Sequence, residues 1–402
     1  MDEKIDREKA LIVFQPSGKR GYFAVGTTVL QAARQLGVYL ESVCGGRGLC
    51  GRCQIRPTPG EFLKYGITST EKDLSLPGDI ERRYREKKDL PRDRRLGCSA
   101  VIKGDLVIEI PNDVQSNNAV IRKRAENKII KRDLVTRLCL IELDEPNISA
   151  PEGDSDRLLT ALENEWDYKD LTVDPTILPQ VQSVLRAGNW KITAAVFKEK
   201  SKPAIVIGIW PGLKETIYGL SIDIGSTTIA AHICDLMTGR IISSAGMMNP
   251  QIRFGEDLMS RISYIQMNSG SECELTSAVR DAVNSLIDKT AKNASISTND
   301  IVEAVIVGNP IMHHLFLGIN PIELGGAPFA LTISTAITCP AHDIISSLPR
   351  AARLHTLPCI AGHVGADASA VMLSERPYRN KKMTLLVDIG TNAEIILGNK
   401  DR

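Results

Sequence analysis

Aromatic residues, histidine and net charge are all in short supply in this sequence, and each shortage removes a class of function. Phe, Trp and Tyr make up 4% of the 402 residues, too few for a platform that stacks the bases of a nucleic acid. The 49 basic and 48 acidic side chains leave a formal charge of +1, which argues against nucleic acid or an anionic membrane as the main partner. No apolar run reaches membrane-spanning length, and the opening Met-Asp-Glu-Lys-Ile-Asp-Arg-Glu-Lys lacks the apolar core of a secretory signal. A cytoplasmic protein is therefore expected. There are only six histidines. His313 and His314 are neighbours on a predicted helix and cannot share one face, so they read as structural. His363, between Gly362 and Gly365, is the one worth following.

Cysteine and glycine are not in short supply, and they coincide. The stretch Cys44-Gly-Gly-Arg-Gly-Leu-Cys50-Gly-Arg-Cys53, with a fourth thiol in Arg-Leu-Gly-Cys98, has gaps of five and two residues and a distant partner. Such spacing surrounds an inorganic centre more readily than it forms disulfides, and the plant-type [2Fe-2S] pattern differs from it by one residue in the first gap. That longer gap is similar to the adrenodoxin-like branch of ferredoxins. Glycines at 45, 46, 48 and 51 suit a backbone that must adopt positive φ and aim N–H groups at sulfur. Four unrelated buried thiols or a four-thiolate zinc site are the alternatives. Cys139, Cys234, Cys273, Cys339 and Cys359 have no ligand spacing and read as reduced structural thiols.

A chain of this length holds two to four domains. Residues 1–111 read as strand, strand, helix Val29 to Leu36 capped by Thr27 or Thr28, cysteine loop, a strand from Gly51 to Pro57, and a closing hairpin from Val101 to Pro111. This order predicts a β-grasp ferredoxin domain. Residues 81–95 carry eight basic and four acidic side chains and read as a solvated face or a docking patch for an acidic redox partner. Residues 112–130 are polar, then basic, without periodicity, and read as a linker. Residues 131–216 alternate predicted strands and helices as a small α+β middle domain to which no chemistry attaches.

From 217 to 402 the pattern changes. Gly219-Leu-Ser-Ile-Asp223-Ile-Gly225-Ser226-Thr227-Thr228 is an apolar strand ending in Asp and a turn of small and hydroxyl residues. It returns as Leu385-Leu-Val-Asp388-Ile-Gly390-Thr391-Asn392-Ala-Glu394. Each turn offers N–H and hydroxyl donors to phosphate, and each Asp sits where a water-bridged Mg²⁺ needs a carboxylate. Between them lie a helix expected around Val279 to Ile287, a buried strand Ala304 to Val307, and glycine-rich strand-to-helix turns that suit an α/β nucleotide fold.

The repeated Asp-Ile-Gly-[Ser/Thr] hairpins resemble the phosphate-1 and phosphate-2 motifs of the actin, sugar kinase and heat-shock chaperone ATPase superfamily. Joined to a [2Fe-2S] ferredoxin, they resemble the reductive activators of corrinoid enzymes. Asn249-Pro-Gln-Ile-Arg-Phe-Gly255 through Arg261, Gly308-Asn-Pro-Ile-Met-His313, and Ala361-Gly-His-Val-Gly-Ala-Asp367 are similar to the same family. The resemblance implies a multidomain α/β chain, ending in an incomplete actin-like, ribonuclease H-like ATPase domain. It implies ATP-dependent passage of one electron from the cluster to cob(II)alamin on the corrinoid protein of a methyltransferase system, fed by an external electron donor. A homodimer is left open. Cys44, Cys50, Cys53 and Cys98 would hold the cluster. Asp223, Gly225, Ser226, Thr227 and Thr228 on one lobe, and Asp388, Gly390 and Thr391 on the other, would hold ATP and Mg²⁺; no catalytic side chain is assigned. Since the superfamily continues well past phosphate-2, a truncated chain is expected, with weak or absent ATP binding and an exposed apolar face. Two other readings remain: an electron-transfer protein whose ATPase-like part is a nucleotide-incompetent scaffold, and a small-molecule kinase with a regulatory cluster.

Overall fold

The computed structural model describes residues 8–40, 42, 44, 46–88, 90–111, 132–149, 151–200, 202–255, 257–390 and 393–402. The expected linker at 112–130, Gly45 and Thr391 lie outside the described residues. The chain divides into two compact units. One is Met1–Val120 with Met248–Val279 and Gly318–Ala330; the other is Ile121–Met247 with Arg280–Leu317 and Leu331–Arg402. Among the described residues no helix is long and apolar enough to cross a membrane.

In the first unit the two apolar runs form an antiparallel hairpin, β1 (Lys9–Gln15) and β2 (Arg20–Ala24). Helix α1 (Val29–Gln35) starts at Thr28, whose hydroxyl accepts from the Gln31 N–H at 3.3 Å, while the Gln31 side chain accepts from the Thr28 N–H at 3.1 Å. This reciprocal cap satisfies two otherwise orphaned donors. There follow β3 (Gln54–Pro57), a ribbon of β4 (Gly60–Phe62) and β5 (Ile67–Ser69), helix α2 (Asp79–Lys87), β6 (Arg95–Leu96) and β7 (Leu106–Glu109). The sheet order is β2-β1-β7-β3-β6, with β7 parallel to β1, the β-grasp arrangement. Ile12, Phe14, Val29, Leu30, Ala33, Leu106 and Ile108 form its core.

Two expectations in this unit need correction. Val101 to Pro111 is not a hairpin. Val101 and Ile102 bridge Thr28 and Leu74 instead, because the turn between them and β7 is pinned elsewhere: Lys103 and Gly104 donate to Asp73 O, and Asp105 accepts from the Leu11 N–H at 2.7 Å. Nor is the charged stretch 81–95 simply a solvated face. Glu81 is fully buried, and Arg85 and Arg95 close on it at 3.2 and 2.8 Å.

The second unit opens with β8 (Thr136–Glu142), α3 (Asp154–Trp166), β9 (Leu171–Val173), α4 (Leu178–Ala187), β10 (Lys191–Phe197) and β11 (Ala204–Pro211). The strands form a sheet in the order β8-β10-β11-β9. Leu158 and Leu162 of α3 and Val181 and Leu185 of α4 belong to its core.

Next, β12 (Tyr218–Ile224) and β13 (Thr228–Asp235) form the first Asp-Ile-Gly hairpin, extended by β14 (Ile241–Met248). Helix α5 (Leu258–Met267) belongs to the first unit. Helix α6 (Glu272–Ala294) runs well beyond the expected Val279–Ile287. Then come β15 (Ile301–Gly308), α7 (Pro310–Leu317), β16 (Ile337–Pro340), β17 (Arg353–Thr356) and α8 (Ala366–Glu375). The six-stranded sheet runs β14-β13-β12-β15-β17-β16, with β12, β15 and β17 parallel. A separate ribbon, β18 (Thr384–Ile389) and β19 (Ala393–Gly398), forms the second Asp-Ile-Gly hairpin. Its register sets Leu385 opposite Leu397 and Val387 opposite Ile395. With Ile389 these make one continuous apolar face, all of it exposed.

Candidate functional site

The thiol site is built by a loop that cannot be made without glycine. Gly46, Gly48 and Gly51 have φ of 99°, 71° and 67°, values an L-residue rarely adopts. At Gly48 a Cβ would overlap Ile80, and at Gly51 it would overlap Tyr84, so α2 lies directly on the loop. With its backbone turned this way, the loop points N–H groups at sulfur. The Arg52 N–H donates to Cys50 Sγ at 3.5 Å, and the backbone N–H groups of Gly46, Leu49 and Cys50 favour the Cys44 thiolate, as that of Gly48 does for Cys98. Cys98 is brought in by the Gly97 N–H, which bonds to Cys53 O at 2.7 Å, and by Gly97 O, which accepts from Leu30 at the start of α1 at 2.9 Å.

All four predicted cysteines converge, and they do so as two pairs. Cys50 Sγ lies 3.4 Å from Cys44 Sγ, and Cys53 is joined to the segment of Cys98 through the Gly97 N–H bond to its carbonyl, near enough for the two thiols to shift each other's titration. The bond from Cys50 holds the Cys44 thiol well below its ordinary range, and the neighbouring Cys53 lowers Cys98. Cys50 and Cys53 are pushed up, first by those same partners and then by burial. Four thiols, one pair of them at 3.4 Å, on a glycine loop at positive φ fit a [2Fe-2S] cluster, with two ligands for each of two irons.

The carboxylate site lies in the second unit. The β12–β13 turn is closed by the Gly225 N–H donating to Thr228 O at 2.9 Å, and a Cβ on Gly225 would meet that oxygen at 2.8 Å. Ser226 is buried in this turn. In register with β12, β15 brings Gly308 opposite Ile224, so close that a Gly308 Cβ would meet Ile224 O at 2.7 Å. A Gly365 Cβ would in turn meet Gly308 O and the Asn309 Cα at 2.6 Å. Asn309 accepts from the Met312 N–H at 3.0 Å and so caps α7. Three backbone turns thus touch at the ends of parallel strands.

Asp367, in the first turn of α8, has its carboxyl raised by burial and then by the charges of Asp223 and Asp388. Glu394, paired with Asp388 across the second hairpin, is raised by burial and by Asp367 and Asp388. The structure therefore brings the acids of both hairpins into one field and adds two more. Asp367 and Glu394 stand within the sequence motifs but carry no role there; their part emerges only from the fold, which sets Glu394 opposite Asp388. Gly390 is exposed at the tip of the second hairpin. His363 is exposed. His314 is held as a structural group, its Nδ1 at 2.8 Å from Pro310 O and its Nε2 accepting from the Thr332 N–H at 3.1 Å. His313 is buried with neither ring nitrogen partnered among the described residues.

Residues 14–102 match the 2Fe-2S iron-sulfur cluster binding domain, 125–216 the RACo linker region and 218–379 the RACo middle region. The chain belongs to the RACo family, the reductive activators of corrinoid enzymes. Its RACo relatives include the corrinoid activation enzyme RamQ of Eubacterium limosum, 29% identical over 374 residues that cover 93% of this chain and 56% of RamQ. Among solved structures, a reductive activator for corrinoid, iron-sulfur protein superposes with a TM-score of 0.61 at 27% identity, covering 98% of this chain and 62% of that one. The reductase component of the glycine betaine monooxygenase of Pseudomonas aeruginosa is 31% identical over 99 residues, 24% of this chain and 22% of that protein. This RACo chain thus spans 56% of RamQ and 62% of the solved activator.

Proposed function

We propose that the chain supplies the electron-delivering and phosphate-facing parts of an ATP-dependent activator that returns cob(II)alamin on a cytoplasmic corrinoid protein to cob(I)alamin. The observation that carries this reading is the co-occurrence of two built sites in one RACo chain: two thiol pairs under a shell of N–H groups, and a carboxylate cluster where three glycine turns meet. When bound, the cluster supplies a one-electron carrier, and Mg²⁺ with nucleotide supplies the free energy for a transfer that a centre near about −400 mV does not drive unaided.

The protein's own contribution is positional. Cys44 and Cys50 would hold one iron and Cys53 and Cys98 the other, with the loop N–H groups stabilising sulfur charge. Asp223, Asp367, Asp388 and Glu394, which influence one another electrostatically, would hold a hydrated Mg²⁺ through water. Gly225, Ser226, Thr227 and Thr228, and Gly390 and Thr391 on the second hairpin, would offer donors to phosphate. The methyltransferase corrinoid protein and an external electron donor would be the partners.

Anaerobic reconstitution with iron and sulfide, followed by EPR of the dithionite-reduced chain, tests the first half. A [2Fe-2S] signal is expected, and stoichiometric zinc without one would refute it. Mn²⁺ EPR with and without ATP tests the second half. Asp223→Asn should weaken nucleotide-dependent Mn²⁺ binding; a reducible cluster with no such binding would favour the electron-transfer reading with an inert scaffold.

A further inference from the structure

Arg34 is a buried cation for which the proposed function has no use. It sits in the last turn of α1 and is 6% exposed. Nε donates to Arg253 O at 2.6 Å and Nη2 to Phe254 O at 3.5 Å. The guanidinium lies over the Tyr264 ring, 4.5 Å from its centre, and that ring packs against Phe254 at 5.2 Å. Two carbonyls and a ring hold the side chain in place, yet none of them neutralises it. Glu274 lines the same cavity of about 400 Å³, but it is exposed and screened by water. Burial presses the Arg34 guanidinium below its ordinary value, and Tyr264, Cys53, Cys98 and Cys44 act in the opposite sense. Leu30, one turn before Arg34 on the same face of α1, donates to Gly97 O at 2.9 Å beside Cys98 and lies 3.5 Å from where a Gly46 Cβ would stand, so this face of the helix runs against the cysteine loop. The other cations near the loop, Arg47 and Arg52, are exposed and therefore screened.

We infer that Arg34 is a positioning residue whose fixed charge raises the reduction potential of a cluster held by Cys44, Cys50, Cys53 and Cys98, and that Phe254 and Tyr264 keep that charge in place. The inference rests on the cluster reading above. On reduction the cluster gains one electron, with no bond made or broken and no proton moved, so its net charge becomes more negative by one. A desolvated cation held nearby stabilises the reduced state relative to the oxidised one. Because its holding contacts come from residues 253–264, the potential is tied to the placement of that segment.

The test is an EPR-monitored potentiometric titration of the reconstituted chain. Arg34→Gln and Arg34→Met, the latter keeping the apolar stem, should each shift the reduction equilibrium roughly tenfold toward the oxidised form. That corresponds to a potential about 59 mV more negative for a one-electron couple. The shift should be the same at low and high KCl. Arg34→Lys should keep most of the wild-type potential, Tyr264→Leu should move it part of the way, and Arg52→Gln should give a smaller shift that salt removes. Wild-type potentials in both neutral variants, or a shift abolished by salt, overturn the assignment. If neither neutral variant holds a cluster, Tyr264→Leu decides: a negative shift supports the role and an unchanged potential overturns it. A wild-type chain with no [2Fe-2S] signal would instead sink the cluster reading, a separate failure.

Discussion

Removing Glu81 should destabilise the thiol-bearing domain far more than removing any exposed acid on the same helix. Its carboxylate is fully buried. Oε1 accepts from Arg95 Nε at 2.8 Å and Arg85 Nη2 at 3.2 Å, and Oε2 accepts from Ser99 Oγ at 3.4 Å. Deleting one member of a fully buried ion pair costs roughly 3–5 kcal/mol, because the other charge is left stranded. Here the loss is smaller, since the arginines keep other acceptors: Arg95 donates to Ser75 O, and Arg85 to Leu90 O and Arg94 O. Arg85 is also 28% exposed. For Glu81→Ala we expect about 2–3 kcal/mol, or a fall of roughly 8–20 °C in the melting temperature of a domain of this size. Glu81→Gln, which can still accept, should lose about half as much. The same change should loosen the cluster, because Ile80 and Tyr84 of this helix cover Gly48 and Gly51, while Arg95 stands three residues before Cys98. Differential scanning fluorimetry and the rate of bleaching of the visible absorbance measure both effects. Arg82→Ala, which breaks only the exposed pair with Asp79, is the control and should cost under ~0.5 kcal/mol. A Glu81→Ala protein as stable as that control, with unchanged bleaching, would refute the reasoning.

Three further outcomes are expected. Cys98→Ser should lose most of the iron found by quantitation after reconstitution, whereas Cys139→Ser, altering a buried thiol in the core of the middle sheet, should not. Asp367→Asn should raise the melting temperature at neutral pH while weakening Mn²⁺ binding. Its carboxyl is raised above 3.8 in the folded chain, so ionisation penalises folding as pH rises through that range and persists above it. His313 is pushed down from 6.5 to about 4, by burial and then by His314. Protons therefore bind the unfolded chain first as pH falls from 6.5 toward 4, and stability drops across that window. His313→Leu should flatten this part of the urea midpoint against pH; a slope identical to wild type would show that other groups carry it.

The parts legible in the sequence were those whose chemistry leaves a local mark. Gaps of five and two between Cys44, Cys50 and Cys53, amid glycines, announce a loop that wraps something, and the loop does form, with Cys50 Sγ 3.4 Å from Cys44 Sγ. Thr28 and Gln31, three residues apart ahead of an apolar run, announce a capped helix. The doubled Asp-Ile-Gly strand ends foretell two hairpins, and both form. What could not be read depends on partners distant in sequence. Glu81 looks like any acid in a charged stretch until Arg95 folds over it. Val101 and Ile102 have the composition of a hairpin strand, yet Thr28 and Leu74 compete for them, with Asp73 and Leu11 fixing the turn beyond. Asp367 and Glu394 gain meaning only through proximity to Asp223 and Asp388, which lie on other strands. Arg34 gives no signal at all, since its anchors stand more than two hundred residues away.

The β18–β19 ribbon also bears on how the assembly state of this chain should be measured. A two-stranded ribbon with, among the described residues, no further strand paired to either edge, and with five exposed aliphatic side chains on one face, Leu385, Val387, Ile389, Ile395 and Leu397, can recruit another strand from any neighbour. Two copies meeting there would run as a dimer on a sizing column, whether or not the thiol and carboxylate sites ever act as a pair. Light scattering over a range of concentrations, repeated with Val387→Lys and Ile395→Lys, separates the two cases: a dimer that disappears with those lysines belongs to the ribbon, and one that survives them belongs to the rest of the protein.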